Sequence, residues 1–449
     1  MKSLLLVTAA VGIYLSVDCS ASYAQAGSLD ITFNPGSAEK QPSTYCMVLQ
    51  TNGQIVIGGA FTSFNGANAV YLTRLNADGS VDTSFGPTAP GGYLNTLALQ
   101  PDGKILVGGN FSQVNGVLLS GVARLRTNGS VDIAFMTADP FGAALALCLQ
   151  SDGKLLVAGN PMGRLTTNGT QDVTFNPGAG IANGYVDAIG LQSNGQIIVG
   201  GNFTALNGGT RNYLARLNAD GSVDTNFDAG IGLGSKVVCV AVLPQDKILI
   251  GGIFSSVSGY SRNNIARLNA DGSVDGSFNP GIGTDAPVVC FAAQSDGKII
   301  IGGGFSHVND TNRVGVARLN IDGSLDLSFN PGTGGNGNID SVASQPDGKT
   351  IIGGEFTKFN GTNISGIARL HGDTSPTTNL QFMASHLYFG TYLSGTVSNT
   401  YRVEWTSQFN TPSLWTPLVN VSLQTNPQFI LDPNPVGGQR FYRAVQVAP

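Results

Sequence analysis

The chain has 449 residues, a formal net charge of −5 and only 11% charged residues. Without a basic run, the charge pattern argues against nucleic acid as a partner. Apolar residues make up 41% of the chain, which is enough for a large core. The composition therefore indicates an ordinary folded protein and gives no sign of a disordered one.

The first 26 residues have the layout of a secretory signal peptide. Lys2 precedes an apolar run from Leu4 to Leu15, and the small-residue sequence Ala24-Gln25-Ala26 follows. The apolar run is shorter than a membrane span requires. We therefore predict cleavage near Ala26 and a monomeric mature chain, without a membrane span, that is secreted, periplasmic or at the cell surface.

From residue 27 onward one unit repeats seven times with a period of about 50 residues. It consists of an apolar strand, a sequence such as LQPDGKILVGGNF, a variable segment, and a sequence such as ARLNADGSVDGSFNPG. DGK, NGQ and ADGS are hairpin-turn sequences, because Gly tolerates positive φ and Asn or Asp tolerates it better than most residues. Four short strands per unit predict an all-β, seven-bladed β-propeller over residues 27–373.

The two ends of the repeat region complement each other. The seventh unit stops at Ala368–Asp373 without its last strand, and the mature chain begins with that missing piece, GSLDITFNPG at Gly27–Gly36. We predict that the N-terminal strand completes the last blade and closes the ring, since two strand edges would otherwise stay open.

These motifs resemble the delta-60 repeat family of bacterial β-propellers. The resemblance implies a propeller in an exported bacterial protein, often beside other all-β modules, and it implies no reaction or catalytic residue. The third unit departs from the pattern: VAGNPMGRL lacks several residues between its glycine and its arginine. We expect its variable hairpin to be cut short.

A second module follows the repeats. Residues 374–379, TSPTTN, read as a linker, and residues 380–449 contain alternating strands such as YRVEWTS. They predict a small C-terminal β-sandwich, and their sequence resembles fibronectin-like C-terminal modules of exported bacterial proteins. The only tryptophans of the chain, Trp405 and Trp415, lie in this module and are expected in its core more than on a sugar-binding surface.

The repeated sequence NADGSVD is similar to the end of a calcium-binding loop. However, Arg74 stands where the first acidic ligand would be, and other copies replace the central Asp with Asn. We therefore interpret the motif as scaffold, in which an arginine of each unit pairs with a later aspartate. The arginines are Arg74, Arg124, Arg164, Arg216, Arg267, Arg318 and Arg369, and the aspartates are Asp30, Asp82, Asp132, Asp172, Asp224, Asp275 and Asp326.

Metal and cofactor chemistry is not indicated. The three histidines are scattered without a metal-binding spacing, so neither a metal nor a cofactor is expected, and no catalytic residue is assigned. The four cysteines of the mature chain occupy similar places in four different units, which would hold them apart. We expect buried free thiols at Cys46, Cys148, Cys239 and Cys290.

Function is expected in what does not repeat, and above all in the variable hairpins after the Gly-Gly pair. Aromatic residues beside arginines can stack on a sugar or anchor a protein. The candidate binding residues are Tyr71, Arg211, Tyr213, Tyr260, Arg262, His307 and Arg313, with Asp310, Glu355 and Lys358 beside them. Asp285, Asp310 and Glu355 are the non-repeating carboxylates that could form a catalytic pair.

Three functions remain open on this basis. The first is a non-catalytic, exported binding protein whose propeller loops contact a protein or a glycan. The second is an extracellular polysaccharide-degrading enzyme, a lyase or glycosidase with carboxylates from several blades. The third is a structural surface protein attached through its C-terminal module. The fold cannot choose among them, because propellers host both catalysts and binders.

Overall fold

The structure is a computed structural model. It describes residues 24–36, 43–64, 66–86, 90–135, 141–178, 180–227, 229–230 and 236–373, and six strands between residues 381 and 446. The predicted linker and nearly all of the predicted signal peptide lie outside the described residues. Within them, one 3-10 turn at Pro244–Asp246 interrupts an otherwise all-β chain, and no helix there could span a membrane.

Seven antiparallel sheets, numbered here as blades 1 to 7 in chain order, make up the propeller. In each sheet a middle strand pairs with an inner and an outer strand. The inner strands are Ser43–Leu49, Leu94–Leu99, Ala146–Leu149, Val186–Leu191, Lys236–Val242, Val288–Ala293 and Ile339–Ser344. The middle strands are Ile55–Ala60, Ile105–Gly109, Leu155–Ala158, Ile197–Gly201, Ile248–Ile253, Ile299–Gly303 and Thr350–Gly354. The outer strands are Leu72–Leu75, Val122–Leu125, Gly163–Leu165, Leu214–Leu217, Ile265–Leu268, Val316–Leu319 and Ile367–Leu370.

The blades are arranged in a ring. Each inner strand packs against the inner strand of the next blade, and that of blade 7 packs against that of blade 1. Buried apolar side chains fill the space between neighbouring blades; between blades 7 and 1, for example, Ile351 and Ile367 lie in one cluster with Ile55 and Ile57. The core is therefore divided among the blade-to-blade contacts, as the buried and mainly apolar middle strands require.

The repeated Gly-Gly pair is explained by the close approach of the inner strand. In six blades the inner strand carries a β-bulge opposite this pair. A Cβ atom on Gly59 would lie 1.9 Å from the carbonyl oxygen of Ser43, and one on Gly252 would lie 2.0 Å from that of Lys236. No side chain can be accommodated at this position, so the bulge and the second glycine come together.

Each unit has a shorter fourth strand than the sequence predicts. In blade 1 it is a single bridge, between Leu75 and Val81. Asp82 then ends the ladder, because its Oδ1 accepts hydrogen bonds from the backbone N–H and the hydroxyl of Ser84 and turns the chain. The same local geometry recurs at Asp275 and Asp326.

The variable segments fold as two-stranded hairpins between the middle and outer strands. Blade 3 lacks this hairpin in the described residues, as its shortened sequence predicts. In blade 4, Ile181–Ala182 adds a third strand. The hairpins are Ser63–Phe64 with Ala67–Asn68, Gln113–Val114 with Val117–Leu118, Ala205–Leu206 with Gly209–Thr210, Ser256–Val257 with Tyr260–Ser261, His307–Val308 with Thr311–Asn312, and Lys358–Phe359 with Thr362–Asn363.

An ion pair between the repeated arginine and aspartate is present in every blade. The Nε–Oδ2 distances are 2.7 to 2.9 Å, and each guanidinium lies 4.7 to 5.0 Å from the centre of a phenylalanine ring. Charge pairing and the aromatic face together offset the desolvation of these nearly buried groups. The phenylalanines are Phe85, Phe135, Phe175, Phe227, Phe278, Phe329 and Phe33.

The same arginines connect neighbouring blades. Nη1 of Arg74 donates to the carbonyl oxygen of Thr127 in blade 2, at 2.7 Å. Nη1 of Arg369 in blade 7 donates to the carbonyl of Ala77 in blade 1, also at 2.7 Å. In blade 6, Arg318 instead contacts the carboxylate of Asp373 at 2.6 Å. Each guanidinium therefore holds its own blade and the next one.

The N-terminal segment lies along the outer strand of blade 7. Leu29 bridges Leu370, and the backbone N–H of Asp30 donates to the carbonyl of Arg369 at 2.8 Å. The carboxylate of Asp30 is fully buried and accepts hydrogen bonds from Arg369 and Lys349. The segment around Asp30 thus occupies, in blade 7, the place that the Asp82 segment occupies in blade 1.

The four described cysteines are free thiols, as the sequence predicts. Burial raises the pKa of the Cys148 thiol to about 11 and raises those of Cys46, Cys239 and Cys290 as well. A thiol with a raised pKa carries little thiolate at neutral pH, so these groups act as small apolar side chains.

The described C-terminal strands form two three-stranded antiparallel sheets. One contains Gln381–Phe382, Gly390–Leu393 and Gln428–Leu431, and the other Thr400–Thr406, Thr416–Ser422 and Phe441–Gln446. Trp415 lies outside the described residues, so its predicted place in a core stays a prediction, as does the sandwich itself.

Deleting residues 27–36 should lower the melting temperature, because it leaves the guanidinium of Arg369 without the carboxylate of Asp30. Breaking a buried pair from one side costs about 3–5 kcal/mol. Asp30→Asn keeps the backbone of the segment and should lose less stability than the deletion. A deletion variant that melts at the temperature of the intact chain would contradict the predicted role of this segment in ring closure.

Acid should destabilise the propeller in a defined pH window. Burial alone would raise the pKa of each repeated aspartate, but hydrogen bonds and the nearby arginine outweigh it, and the pKa of Asp82 falls from 3.8 to about 2. The pKa values of the other six are lowered too. Lowered carboxyl pKa values stabilise the fold above the unfolded value, and this contribution disappears as the pH falls through the folded value. Calorimetry should show the melting temperature falling between about pH 4 and pH 2; a flat profile there would contradict this account.

Candidate functional site

In the repeated loop NADGSVD, the side chains of the acidic residues already accept hydrogen bonds from groups of the protein. Oδ1 of Asp78 accepts from the backbone N–H and the hydroxyl of Ser80, at 2.9 and 2.7 Å, and Asn76 donates to the same hydroxyl. Oδ2 of Asp82 accepts from Arg74. Among the described residues, no group of three acidic, histidine or cysteine side chains could hold a metal ion. The loop is a turn that joins the outer strand to the aspartate partner.

One face of the ring carries the variable hairpins, and we call it the hairpin face. Inner and middle strands are antiparallel, so the start of each inner strand lies beside the end of its middle strand, where the hairpin begins. The hairpins and the first residues of the inner strands therefore share this face. The DGK and ADGS turns lie on the opposite face.

Tyr71 and Tyr213 occupy equivalent positions that are governed by the backbone. Both have positive φ, 65° and 67°, at the residue before the outer strand. The equivalent residue is a positive-φ glycine in other blades, at Gly121, Gly315 and Gly366. A tyrosine with positive φ is uncommon because this conformation is strained for a residue with a side chain. Such a conformation is kept where the surrounding structure enforces it. Both tyrosine side chains are half-buried at the base of a hairpin.

Arg211, Arg262 and Arg313 are also equivalent to one another, one in each of blades 4, 5 and 6. Each donates from Nη1 to the carbonyl oxygen of the residue before it, at 2.8 to 2.9 Å. The Nε atom of each is buried without a hydrogen-bond partner. Tyr260 is 57% exposed beside them, and the guanidinium of Arg262 lies 6.0 Å from the centre of its ring.

His307 is paired with one of the three candidate catalytic carboxylates. Its Nδ1 lies 3.0 Å from Oδ2 of Asp285, whose Oδ1 accepts from the backbone N–H groups of Ser306 and His307. Despite the opposing effect of partial burial, these bonds lower the pKa of Asp285. These bonds join the hairpin of blade 6 to the segment that contains Asp285, just before the inner strand of the same blade. Asp310 and Lys358 are exposed on their own hairpins.

The third candidate carboxylate, Glu355, lies near a residue that the sequence analysis did not select. Burial and the negative charge of Glu355 raise the pKa of Asp340 to about 7. Asp340 is the bulged residue of the inner strand of blade 7, and its Oδ2 is buried without a hydrogen-bond partner. A carboxyl that titrates near neutral pH on an otherwise repetitive scaffold is a candidate functional group.

The corresponding bulged residue of blade 4 is Asp187. Burial raises its pKa, and Lys236 of blade 5, whose Nζ lies 3.4 Å from Oδ1, opposes that rise. Nζ of Lys236 also lies 5.6 Å from the centre of the Tyr185 ring. Tyr185 and its equivalent in blade 2, Tyr93, are 41% and 42% exposed. We call Tyr93, Tyr185, Asp187, Lys236, Asp340 and Glu355 the axial mouth, since they lie where the inner strands begin.

A signal for the axial mouth exists in the sequence. Asp187 and Asp340 each follow an apolar residue in an inner strand, where blades 5 and 6 have Val238 and Val289. An aspartate in an otherwise apolar strand is costly to bury, so it is a departure from the repeat that calls for an explanation. The variable hairpins differ from blade to blade over a whole segment, whereas this departure from the repeat is one residue per blade.

A family model described as "Domain of unknown function (DUF5122) beta-propeller" matches seven segments of the chain. They are residues 50–85, 100–135, 150–175, 192–227, 244–278, 294–329 and 345–376. The seven matches confirm the predicted β-propeller, while the finer resemblances, to delta-60 repeats and to fibronectin-like modules, stay predictions. No curated protein matches the chain.

Solved structures with a similar fold include virginiamycin B lyase from Staphylococcus aureus, at 14% identity and a TM-score of 0.50, covering 75% of this chain and 97% of that one. An extracellular domain from B. thetaiotaomicron is similar at 13% identity and a TM-score of 0.46, covering 86% and 47%. YCF48 bound to D1 peptide is similar at 10% identity and a TM-score of 0.43, covering 78% and 100%. At these identities the likeness concerns the fold alone.

Replacing Asp340 with Asn should stabilise the protein most at high pH. A folded-state pKa of about 7, against an ordinary 3.8, means that the folded chain binds this proton more tightly than the unfolded chain. The contribution of Asp340 to stability is therefore full below about pH 4 and declines as the pH rises through 7. Asp340→Asn should melt above the parent at pH 8 and show a smaller gain at pH 5. Asp310→Asn, at an exposed carboxylate, is the control, and an equal loss of stability at both pH values for Asp340→Asn would contradict the argument.

Proposed function

The chain belongs to the DUF5122 β-propeller family, and we propose that it is an exported, non-catalytic binding protein whose hairpin face contacts a protein or a glycan. One observation carries the proposal. Among the described residues, every charged side chain with a buried, unpartnered polar atom lies on the hairpin face: Asp187, Asp340, Arg211, Arg262 and Arg313. The charged groups of the repeat, by contrast, are paired in every blade.

A buried polar atom without a hydrogen-bond partner lowers stability, and charged groups in such surroundings are candidates for a functional site. The axial mouth combines these carboxylates with exposed tyrosine rings and a lysine. Tyr93 and Tyr185 present apolar faces on which a sugar ring or a partner side chain can stack, and Lys236 and Asp187 offer a donor and an acceptor beside them. Tyr260 and Arg262 provide a second aromatic–cation pair at the hairpin of blade 5.

Export and a monomeric state belong to the same proposal. The N-terminal layout of Lys2, the apolar run and Ala24-Gln25-Ala26 supports secretion to the periplasm, the cell surface or the medium. Each blade packs against two neighbouring blades of the same chain, so the faces of its sheet are covered without a second copy of the protein.

A glycan array and a protein pull-down with residues 27–449 test the proposal, each run with and without calcium. A ligand of the hairpin face should lose at least about tenfold in affinity when Tyr185→Ala and Tyr93→Ala are combined, since stacked aromatic anchors dominate such sites. Ile321→Ala is the matched control, because that side chain is 59% exposed on the opposite face. Binding that is lost in the control and kept in the tyrosine variant would refute this site, and a calcium requirement would contradict the scaffold role of the acidic loop.

A second function has one specific observation in its favour. Asp340, with a pKa near neutrality, and Glu355 beside it are the kind of carboxyl pair that a glycosidase or lyase uses as acid and base. Any polysaccharide that binds should therefore be incubated with the protein and analysed for cleavage. Cleavage that disappears in Asp340→Asn while binding persists would establish the enzyme in place of the binding protein.

A further inference from the structure

Blade 1 contains a cavity beside a hairpin position at which five other blades carry a larger side chain. The cavity, of about 230 Å³, lies between the hairpin of blade 1 and the segment that follows its outer strand. Ala69 lines it from the hairpin side, and Val81, Asp82 and Thr83 line it from the other. Ala69 holds the same backbone position as the hairpin arginines: its N–H donates to Thr62, as that of Arg211 does to Thr204.

The size of the residue at the position of Ala69 differs among the blades. Blades 4, 5 and 6 have Arg211, Arg262 and Arg313, whereas blades 2 and 7 have Leu119 and Ile364, both buried. Blade 1 has alanine, the smallest side chain in the set. The fold of the blade therefore tolerates a long side chain here, and in blade 1 the chain does not provide one.

We propose that this cavity, which we call the blade-1 slot, binds the guanidinium group of an arginine side chain presented by a partner polypeptide. In blade 4, Nη1 of Arg211 donates to the carbonyl of Thr210 at 2.9 Å, and Nη2 donates to that of Thr225 at 3.3 Å. The equivalent carbonyls in blade 1 belong to Asn68 and Thr83, and both residues line the slot. A guanidinium from a partner can thus make in blade 1 the two hydrogen bonds that Arg211 makes in blade 4.

The charges around the slot favour a cation. Burial lowers the pKa of Arg313 in blade 6, and the carboxylate of Asp326, whose counterpart in blade 1 is Asp82, opposes that effect. Asp82 is paired with one cation, Arg74, and with the neutral amide of Gln54 at 2.8 Å. Blade 2 has a lysine, Lys104, in place of that amide. The blade-1 carboxylate therefore has less positive charge near it than its counterpart in blade 2.

The rest of the lining suits the stem of an arginine. Ala67, Val70 and Leu72 present apolar groups along the slot, against which three methylene groups can pack while the charged end reaches the carbonyls. A leucine side chain would use the same apolar wall but would leave the carbonyl acceptors unused. Lysine lacks the planar fork that reaches two acceptors at once. This proposal is independent of the axial mouth.

The test uses the full mature chain and N-acetylarginine amide as the probe, followed by methyl NMR. The probe should shift the methyl signals of Ala69, Leu72 and Val81 at a stoichiometry of one. N-acetylcitrulline amide, a neutral analogue of similar shape, should bind at least about tenfold more weakly, and so should the lysine and leucine analogues. Equal shifts from the leucine analogue would overturn the guanidinium assignment, as would shifts confined to other blades.

Variants of the slot residue provide the matched controls. Ala69→Arg fills the slot from within and should abolish binding, and Ala69→Leu, which copies Leu119, should do the same if the arginine variant folds poorly. Arg211→Ala opens the equivalent space in blade 4, where Gln196 also replaces lysine, and should raise the stoichiometry to two. Undiminished probe binding in a folded Ala69 variant would refute the site.

Discussion

The whole propeller depends on a buried ion pair, repeated once per blade, between an arginine of the outer strand and an aspartate that in six blades lies eight residues later. A guanidinium withdrawn from water must find a carboxylate and further acceptors, or the fold loses several kcal/mol. Each guanidinium meets this demand with its own aspartate, a phenylalanine ring beneath it and, in most blades, a carbonyl of the next blade. The pair therefore sets the outer edge of one blade and its distance from the next. In blade 7 the aspartate is Asp30, from the other end of the chain.

This constraint separates scaffold from function. Where every blade requires the same residue, as at Arg267 and Asp275, the position has no freedom to serve a ligand. The positions released from that requirement are the hairpins and the first residues of the inner strands. There charged groups carry costs that the charged groups of the scaffold avoid: a carboxyl with a pKa near neutrality at Asp340, and arginine Nε atoms without hydrogen-bond partners. These costs are concentrated on one face, which is why we assign binding to it.

The seven blades also serve as comparisons for one another. Tyr71 and Tyr213 stood out in the sequence as aromatic residues of variable hairpins, yet the blades with glycine at that position reveal a backbone role. Ala69 attracted no notice, yet comparison with Arg211 and Arg313 makes it the residue that leaves a cavity. In a repeat protein a small residue becomes informative when its equivalents in the other hairpins are larger and it borders a cavity.

The all-β class, the seven units, the shortened third hairpin and the free thiols could all be predicted from the sequence, because period, turn chemistry and glycine placement are local properties of the chain. It also suggested the partner of each repeated arginine, since seven copies at constant spacing allow few alternatives. Which non-repeating residues come into contact, by contrast, depends on how the blades pack. Asp187 approaches Lys236 of the next blade, and Glu355 acts on Asp340, because the packed strands bring these positions side by side. The burial that raises the pKa of Asp340 and the packing that leaves the blade-1 slot open are both properties of the assembled ring. Neither can be read from the sequence of one strand.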